Sequence, residues 1–168
     1  LIYPMSDEAI RLLIDEMDEV SFPKGDLLIR EGDRDPFVWF VRKGLIRSYV
    51  ERETKDITLW FASDGEMINF VYRDIAAYNI EMVEDSDLLR IPARRLEELF
   101  EQSHDIAVWG LREYENYFIN DSWSDAREQY EALLRSNPEL FQRVPLKHIA
   151  SYLQITPQSL SRIRSSSK

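Results

Sequence analysis

A break between two short apolar periods near the C-terminal end constrains the fold of this chain more than any other feature. Within residues 143–164, apolar side chains recur at helical spacing on both sides of the break, at Leu146, Ile149, Ala150, Leu153, Leu160 and Ile163. At the break itself, Thr156 directly precedes Pro157. Threonine suits a helix N-cap, where its hydroxyl accepts an unpaired N–H, and proline suits the first helical position. The stretch therefore predicts two helices joined by a tight turn.

The second predicted helix has an outward face without a single acid. Its outward side chains are Gln158, Ser159, Ser161 and Arg162, with Arg164 beyond them. Glutamine pairs with adenine and arginine with guanine through two hydrogen bonds each, and serine contacts a base or a phosphate. Together with the small Ala150, which lets the helices cross closely, the pattern is typical of a helix-turn-helix that reads the major groove of DNA. The alternative is an ordinary helical hairpin with a polar face.

The distribution of charge favours DNA binding. The whole chain carries a formal net charge of −10, yet residues 140–168 hold five basic side chains and no acid. The other residues hold 16 basic and 31 acidic side chains. Such an acidic body repels a DNA duplex everywhere except at its basic end. We expect Gln158 and Arg162 to read bases, and Lys147, Arg164 and Lys168 to contact phosphates. Thr156, Ser159 and Ser161 complete the candidate DNA-binding residues; a simple basic tail is the alternative interpretation.

Between residues 27 and 91 the sequence consists of short segments rich in strand formers. They span residues 27–30, 37–41, 45–50, 56–61, 78–83 and 88–91. Four of the five glycines lie in the turns next to these segments, where a positive φ costs glycine little. Short strands at regular spacing with glycine turns predict a small antiparallel barrel or jelly roll.

Segments whose apolar residues recur at helical spacing flank these strands. The first, over residues 6–17, begins with Ser6 as a candidate cap, and the second spans residues 93–102. The third, over residues 105–121, is apolar on two stripes and therefore needs two partners. We assign one stripe to the barrel and the other to the same helix of a second subunit, giving a twofold dimer; burial wholly within the monomer is the alternative. Residues 122–125 form the candidate hinge before the last helices.

The residue inventory excludes several chemistries. The chain has no cysteine and two histidines, His104 and His148, so it lacks the ligands for iron–sulfur or clustered-histidine metal sites. We therefore expect no metal, no cofactor and no enzymatic activity. The sequence has no apolar run of membrane-spanning length and no secretory leader, so we expect a cytoplasmic protein that does not bind membranes.

The glycine-punctuated barrel, the long apolar helix and the C-terminal helix-turn-helix together resemble the Crp/Fnr family of bacterial transcription regulators. The resemblance covers nearly the whole chain and is strongest over residues 144–164. It implies an α+β fold in which a β-roll effector domain (residues 1–103) is followed by a dimerisation helix and hinge (104–123) and a helix-turn-helix domain (124–168). It also implies a homodimer that binds double-stranded operator DNA through Gln158, Ser161 and Arg162, with RNA polymerase as a further candidate partner.

The chain departs from the family pattern in three places. Gln154 stands where the turn usually holds glycine, and a left-handed backbone there costs glutamine about 1 kcal/mol more than glycine. Gln158 stands where the reading helix often has glutamate, so we expect adenine rather than cytosine as its partner. The chain stops soon after the reading helix, which leaves no room for the hairpin wing of longer members.

The effector pocket departs from the cyclic-nucleotide pattern as well. In members that bind cyclic nucleotides, a Gly-Glu pair opens the phosphate cassette, and an arginine ten residues after the glutamate meets the phosphate. Here Gly65 and Glu66 form the pair, Ala76 and Ala77 occupy the arginine position and the next, and Arg73 lies three residues away. Because the missing guanidinium contact is worth about 1.5–3 kcal/mol, we expect no useful affinity for cAMP. Another small-molecule effector stays open, with Glu66 as a candidate ligand for a ribose hydroxyl.

Two rival functions remain at this point. The first is a ligand-binding or protein-interaction module whose helix-turn-helix does not bind DNA, which the acidic body and the missing wing favour. The second is a barrel-fold enzyme, against which the lack of clustered histidines argues.

Overall fold

The computed structural model describes residues 5–53, 55–68, 75–119 and 126–166, and it leaves out the side chains of residues 114–119. The helices of this part of the chain are α1 (Asp7–Ile14), α2 (Ala93–Gln102), α3 (His104–Ile119), α4 (Ala126–Ser136), α5 (Leu140–Arg143), α6 (Leu146–Tyr152) and α7 (Pro157–Ser166). The strands are β1 (Asp18–Phe22), β2 (Leu27–Ile29), β3 (Phe37–Lys43), β4 (Leu45–Arg52), β5 (Lys55–Ser63), β6 (Met67–Ile68), β7 (Asn79–Met82) and β8 (Ser86–Pro92). We call residues 126–166 the head. The eight strands, together with the turns that join them, are called the roll.

The roll consists of two four-stranded antiparallel sheets with the strand orders β1-β8-β3-β6 and β2-β7-β4-β5. Alternate side chains of both sheets point to a shared interior, because successive residues of a strand face opposite sides. Trp39 and Leu88 from the first sheet pack there against Ile46 and Ile80 from the second. The predicted α+β fold with an N-terminal antiparallel roll is confirmed.

Three elements were not predicted from the sequence, and each has a weak local signal. Strand β1 has the sequence DEVSF, and most of its side chains are exposed. It is held by pairing with β8 and by the Ser21 hydroxyl, which donates to Asp87 at 2.6 Å. Strand β6 has two residues and α5 has four, too few for a period to show.

The helices around the roll follow the sequence pattern more closely. The Ser6 hydroxyl accepts from the Ala9 N–H at 3.3 Å, which confirms the predicted cap of α1. On α3, Ile106 is fully buried and the Trp109 ring stacks on Phe40 with centroids 5.7 Å apart. Leu111, on the other stripe of α3, is 70% exposed. One stripe thus covers the roll of its own chain. Tyr114, Tyr117 and Phe118, which also belong to the two apolar stripes of the sequence, lie outside the described side chains.

The head packs on the outer face of the second sheet. Leu45 and Val83 of the roll share one buried apolar cluster with Ile149, Leu153 and Leu160 of the head. These residues are all at most 6% exposed, so burying them fixes the head against β4 and the end of β7. The predicted hinge at residues 122–125 lies outside the described residues.

Gly44, in the turn between β3 and β4, lies so close to Ser86 that substituting it tests the packing within the roll. A Cβ added there would lie 2.2 Å from the Ser86 Oγ and 2.8 Å from the Ser86 Cα, in addition to the strain of φ +127°. At Gly32, where φ is +93°, an added Cβ meets nothing within 4 Å. We expect Gly32→Ala to lower the free energy of unfolding by about 1 kcal/mol and Gly44→Ala by about 1–3 kcal/mol more. Urea denaturation measures both, and equal losses would contradict the close approach of Gly44 to Ser86.

Candidate nucleic-acid interface and effector cleft

The turn between α6 and α7 is held by backbone hydrogen bonds and by one left-handed residue. Gln154 has φ +55°, as expected for the position where the family has glycine. The Gln154 N–H donates to the Ser151 carbonyl at 3.0 Å, and the Ile155 N–H donates to the Ala150 carbonyl at 2.9 Å. Ala150 is 1% exposed, so its small side chain lies at the crossing of the two helices. The chain therefore folds back sharply before α7 begins.

The start of α7 is capped as the sequence predicts. The Thr156 hydroxyl accepts from the Ser159 N–H at 3.1 Å and lies 3.0 Å from the Ser159 hydroxyl. Leu160 is 1% exposed and Ile163 packs beside it in the same apolar cluster. With the cap at one end and these side chains inward, the rotation of α7 about its own axis is fixed. Thr156 and Ser159 are consequently both engaged in the cap.

The predicted reading residues lie on the solvent side of α7. Gln158, Ser161, Arg162 and Arg164 are exposed, whereas Ser159 is half-buried. Lys147, on α6, is also exposed. Among the residues that the structure describes, no acid forms an ion pair with Lys147, Arg162 or Arg164. The basic groups of this face are therefore available to a polyanion; Lys168 lies outside the described residues.

Two further contacts attach the head to the roll at its edges. Arg143 donates to the Gly44 carbonyl at 2.8 Å and to the Glu84 carboxylate at 2.6 Å, and these contacts with Glu84 raise the pKa of the guanidinium. The Ser151 hydroxyl accepts from the Thr58 N–H at 2.9 Å and donates to the Asp56 carbonyl at 2.7 Å. Because β5 ends its sheet, Ser151 occupies hydrogen-bonding groups of an otherwise open strand edge.

Arg47 is a functional candidate that no sequence motif indicated. It points outward from β4 toward the head, yet its side chain is only 2% exposed. Its guanidinium pairs with Glu81 at 2.7 Å and with Asp56 at 3.3 Å, and it lies over the Tyr49 ring at 4.2 Å from the centroid. A single charged residue inside the apolar-rich segment LIRSYV is the only local sign of this arrangement.

Two of the predicted effector residues, Gly65 and Glu66, lie in the turn between β5 and β6. Gly65 has φ +88°, and its N–H donates to the Val41 carbonyl at 2.7 Å. The Glu66 carboxylate accepts from the Ser63 N–H at 2.6 Å and from the Ser63 hydroxyl at 3.0 Å. These two hydrogen bonds hold the Glu66 carboxylate within its own turn, where they compete with any hydrogen bond from a ligand hydroxyl.

Two of the other predicted effector residues, Ala76 and Ala77, carry no side-chain group that could contact a phosphate. Ala76 exchanges backbone hydrogen bonds with the Gly32–Asp33 turn at 2.8 and 2.9 Å and packs against the roll interior. Ala77 is exposed, and Arg73 lies outside the described residues. On α3, burial and the negative charge of Glu66 raise the pKa of Glu113. The carboxylates of Glu66 and Glu113 therefore lie close enough to interact.

Buried polar atoms lie on the inner wall of the roll. Ser48 on β4 is directly opposite Trp60 on β5, and the Tyr78 ring meets Trp60 edge-on at 5.7 Å. Within the described part of the chain, the Ser48 hydroxyl and the Trp60 indole N–H are buried without a hydrogen-bond partner. The inner wall of the roll thus carries buried polar groups that are separate from Gly65 and Glu66, the predicted start of the phosphate cassette.

Neither a metal site nor a membrane-spanning helix is found in the part of the chain that the structure describes. No three His, Cys, Asp or Glu side chains lie close enough together to hold a metal ion. Likewise, no helix there combines the length and the apolar character that crossing a bilayer requires.

Comparisons with known proteins define the class of this chain. The cyclic nucleotide-binding domain family model matches residues 19–103, half of the chain, and the chain belongs to this family. A comparison with curated protein sequences found no match.

Solved structures of bacterial regulators match nearly the whole chain. FixK2 from Bradyrhizobium japonicum aligns at a TM-score of 0.71 and 18% identity, covering 89% of this chain and 83% of that one. The c-di-GMP-responsive global regulator CLP from Xanthomonas campestris aligns at 0.66 and 16%, covering 95% and 90%. The catabolite activator protein from Thermus thermophilus aligns at 0.57 and 18%, covering 98% and 84%.

At these identities the structural likeness concerns the fold. That fold is the roll with C-terminal helices of Crp/Fnr-type regulators, as the resemblance in the sequence predicted. The matched family is a binding domain, and the matched structures are those of regulators rather than enzymes.

The left-handed turn residue allows a test of the helix-turn-helix geometry. Gln154 is exposed and makes its turn with φ +55°, so replacing it removes strain without removing packing. We expect Gln154→Gly to raise the free energy of unfolding by about 0.5–1 kcal/mol, because glycine adopts this φ without a Cβ clash. Gln154→Ala, which keeps the Cβ, should show no such gain. Urea denaturation distinguishes them, and a destabilised glycine variant would contradict the turn described here.

Proposed function

We propose that this chain is a homodimeric, sequence-specific DNA-binding transcription regulator of the Crp/Fnr type. The observation that carries the proposal is the exposed, acid-free face of α7, with Gln158, Ser161 and Arg162 pointing to solvent from a helix whose other face is buried. A helix capped and packed in this way presents its N-terminal side chains to base edges when it enters a major groove.

Each group on this face has a distinct proposed role. Arg162 pairs with guanine and Gln158 with adenine, because both side chains make two parallel hydrogen bonds to these bases. Lys147 and Arg164 contact phosphates on either side of the reading helix. Thr156 and Ser159, which close the cap, keep the first turn of α7 ordered before DNA arrives. This preorganisation lowers the entropy lost on binding.

The charge distribution supports the same function. The acidic body and the basic end lie in one molecule of net charge −10. A duplex is therefore attracted to the head alone, which orients the approach of the protein and makes its binding dependent on salt.

A dimer would present two heads to one duplex. Leu111 is 70% exposed on the stripe of α3 that faces away from the roll, and an exposed leucine on a long helix suits a twofold helix–helix contact. We propose that α3 joins the subunits and that the two heads meet half-sites about one helical turn apart. The proposed division is residues 1–103 for the effector domain, 104–123 for dimerisation and 124–168 for the helix-turn-helix domain. We propose a cytoplasmic protein with RNA polymerase as a further partner.

We propose that cAMP is not the effector. Ala76 stands where a guanidinium would meet the phosphate, and Glu66 is engaged by Ser63. The carboxylates of Glu66 and Glu113 interact unfavourably, so an anion that binds beside them adds to this repulsion.

Variants of the reading helix test the DNA-binding function. A preferred operator is first selected from random duplexes with the full chain, and affinities are measured by fluorescence anisotropy at fixed salt. We expect Arg162→Ala to weaken operator binding by about 1–3 kcal/mol and to relax specificity at one base of each half-site. Arg94→Ala, which removes an arginine with a 91% exposed side chain on α2, is the matched control and should bind as the wild type does.

The outcomes separate the alternatives for this helix. An equal loss of affinity on all sequences would assign Arg162 to the phosphate backbone. Absence of any salt-dependent DNA binding by the wild-type chain would favour the ligand-binding or protein-interaction module instead.

Calorimetry tests the effector proposal. We expect titration of the full chain with cAMP at hundreds of micromolar to give no binding heat, because the phosphate lacks its guanidinium partner. A dissociation constant in the micromolar range would contradict the proposal.

A further inference from the structure

The contact between Arg47 and His148 links a buried charge of the roll to the head. Arg47 Nη1 lies 2.5 Å from His148 Nδ1 and 3.3 Å from the Thr58 hydroxyl, to which it donates. Since a guanidinium only donates, the Nδ1 atom must accept, and the imidazole must be neutral. His148 is thus the side chain of the head that reaches this guanidinium, across 101 residues of sequence.

The remaining partners of Arg47 come from the second sheet. Glu81 on β7 and Asp56 on β5 balance its charge, and Tyr49 on β4 covers one face of the guanidinium. A buried charge requires its partners, because removing one leaves a desolvated group without compensation. The position of α6 therefore depends on how β4, β5 and β7 are arranged around this one side chain.

Ser151, on the face of α6 that also carries His148, ties the position of α6 to strand β5. Its hydroxyl accepts from the Thr58 N–H and donates to the Asp56 carbonyl, so both contacts occur at the strand that also carries the acid of Arg47. Asp56 consequently supplies its carboxylate to Arg47 and its backbone to the head. The two contacts hold α6 at a single register along β5.

We propose that Arg47 is a positioning residue for DNA reading: through His148 it fixes the orientation of the head on the roll, and with it the direction in which α7 meets DNA. This inference deepens the proposed function and rests on it for its effect on DNA, whereas the docking of the head is a property of the chain itself. The roll thereby acts on the reading helix through the sheet that surrounds Arg47.

The charges around His148 make this docking sensitive to acid. Burial, then Arg47 and Lys147, lower the pKa of His148 to about 4, against the opposing effect of Asp56. A histidine whose pKa is lowered on docking binds more protons when undocked. Docking is thus fully favourable above the ordinary histidine pKa of about 6.5 and weakens as the pH falls toward 4. At pH 5 the docking equilibrium constant is expected to be about 20-fold smaller than at pH 7.

Hydrogen exchange at the Thr58 amide measures docking directly, because this N–H donates to Ser151 of the head. In the full chain at pH 7.5 we expect Arg47→Met to lower the protection factor of Thr58 at least about tenfold. The amide of Leu88, in the interior of the roll, should keep its protection and thereby show that the roll remains folded. Arg42→Met, which removes an exposed arginine from β3, is the matched control. Thr58 protection equal to that of the wild type in Arg47→Met would overturn the proposal.

His148→Asn provides a second variant that does not remove the buried charge. The asparagine carbonyl accepts from Arg47 but takes up no proton in this range, so Thr58 protection, corrected for intrinsic exchange, should persist at pH 5. In the wild type and in the control His104→Asn, the corrected protection should fall by about 30-fold between pH 7.5 and pH 5. The same acid-dependent loss in His148→Asn would contradict the role of His148.

A DNA measurement separates failure of this inference from failure of the proposed function. For Arg47→Met we expect the preference for the selected operator over one with two added base pairs between its half-sites to shrink by about tenfold, because mobile heads reach both spacings. An unchanged preference in a variant that has lost Thr58 protection would contradict the positioning role while leaving DNA binding intact. If the wild type binds no DNA, the proposed function fails, and the exchange data still decide whether Arg47 docks the head.

Discussion

One apolar cluster shared by the roll and the head determines most of what this molecule presents to its surroundings. Leu45 and Val83 contribute to it from the roll, while Ile149 and Leu160 contribute from the two helices of the helix-turn-helix. Because these side chains are buried together, the inward face of α7 is fixed, and its outward face is fixed with it. The polar contacts at the same interface select the orientation of the head on the roll, since the hydrophobic effect alone is not directional.

The charged groups at that interface differ in their pairing from those beyond it. The acids that face the head at the interface are engaged by arginines, Glu81 by Arg47 and Glu84 by Arg143. The basic groups beyond the interface, on the outer side of α6 and α7, have no acidic partner among the described residues. Arg143 therefore belongs to the attachment of the head, although it lies in the same basic stretch of sequence as Lys147. The distinction between attachment and DNA contact depends on the fold.

The helix-turn-helix could be predicted from the sequence because its determinants are local. The Thr156 cap, the left-handed Gln154 and the inward Leu160 all act within a few residues of each other, and each was anticipated. Strand β1 was missed because its residues are mostly polar and exposed, and pairing with β8 rather than its own pattern makes it a strand. The contact between Arg47 and His148 joins distant segments, so no periodicity, spacing or motif indicated it. Gly65 and Glu66 were predicted as candidate effector residues from the sequence, but the engagement of Glu66 by Ser63 required coordinates.

The central claim is that a basic face on the head of an acidic dimer binds duplex DNA, and the salt dependence of binding tests it most directly. The measurement is the association constant of the full chain with a selected operator over a range of salt concentrations. In the proposed dimer, Lys147 and Arg164 of both subunits would neutralise four phosphates, so the account predicts that log K falls with log salt with a slope of about −3.6 or steeper. A slope near zero, or no binding at low salt, would contradict it.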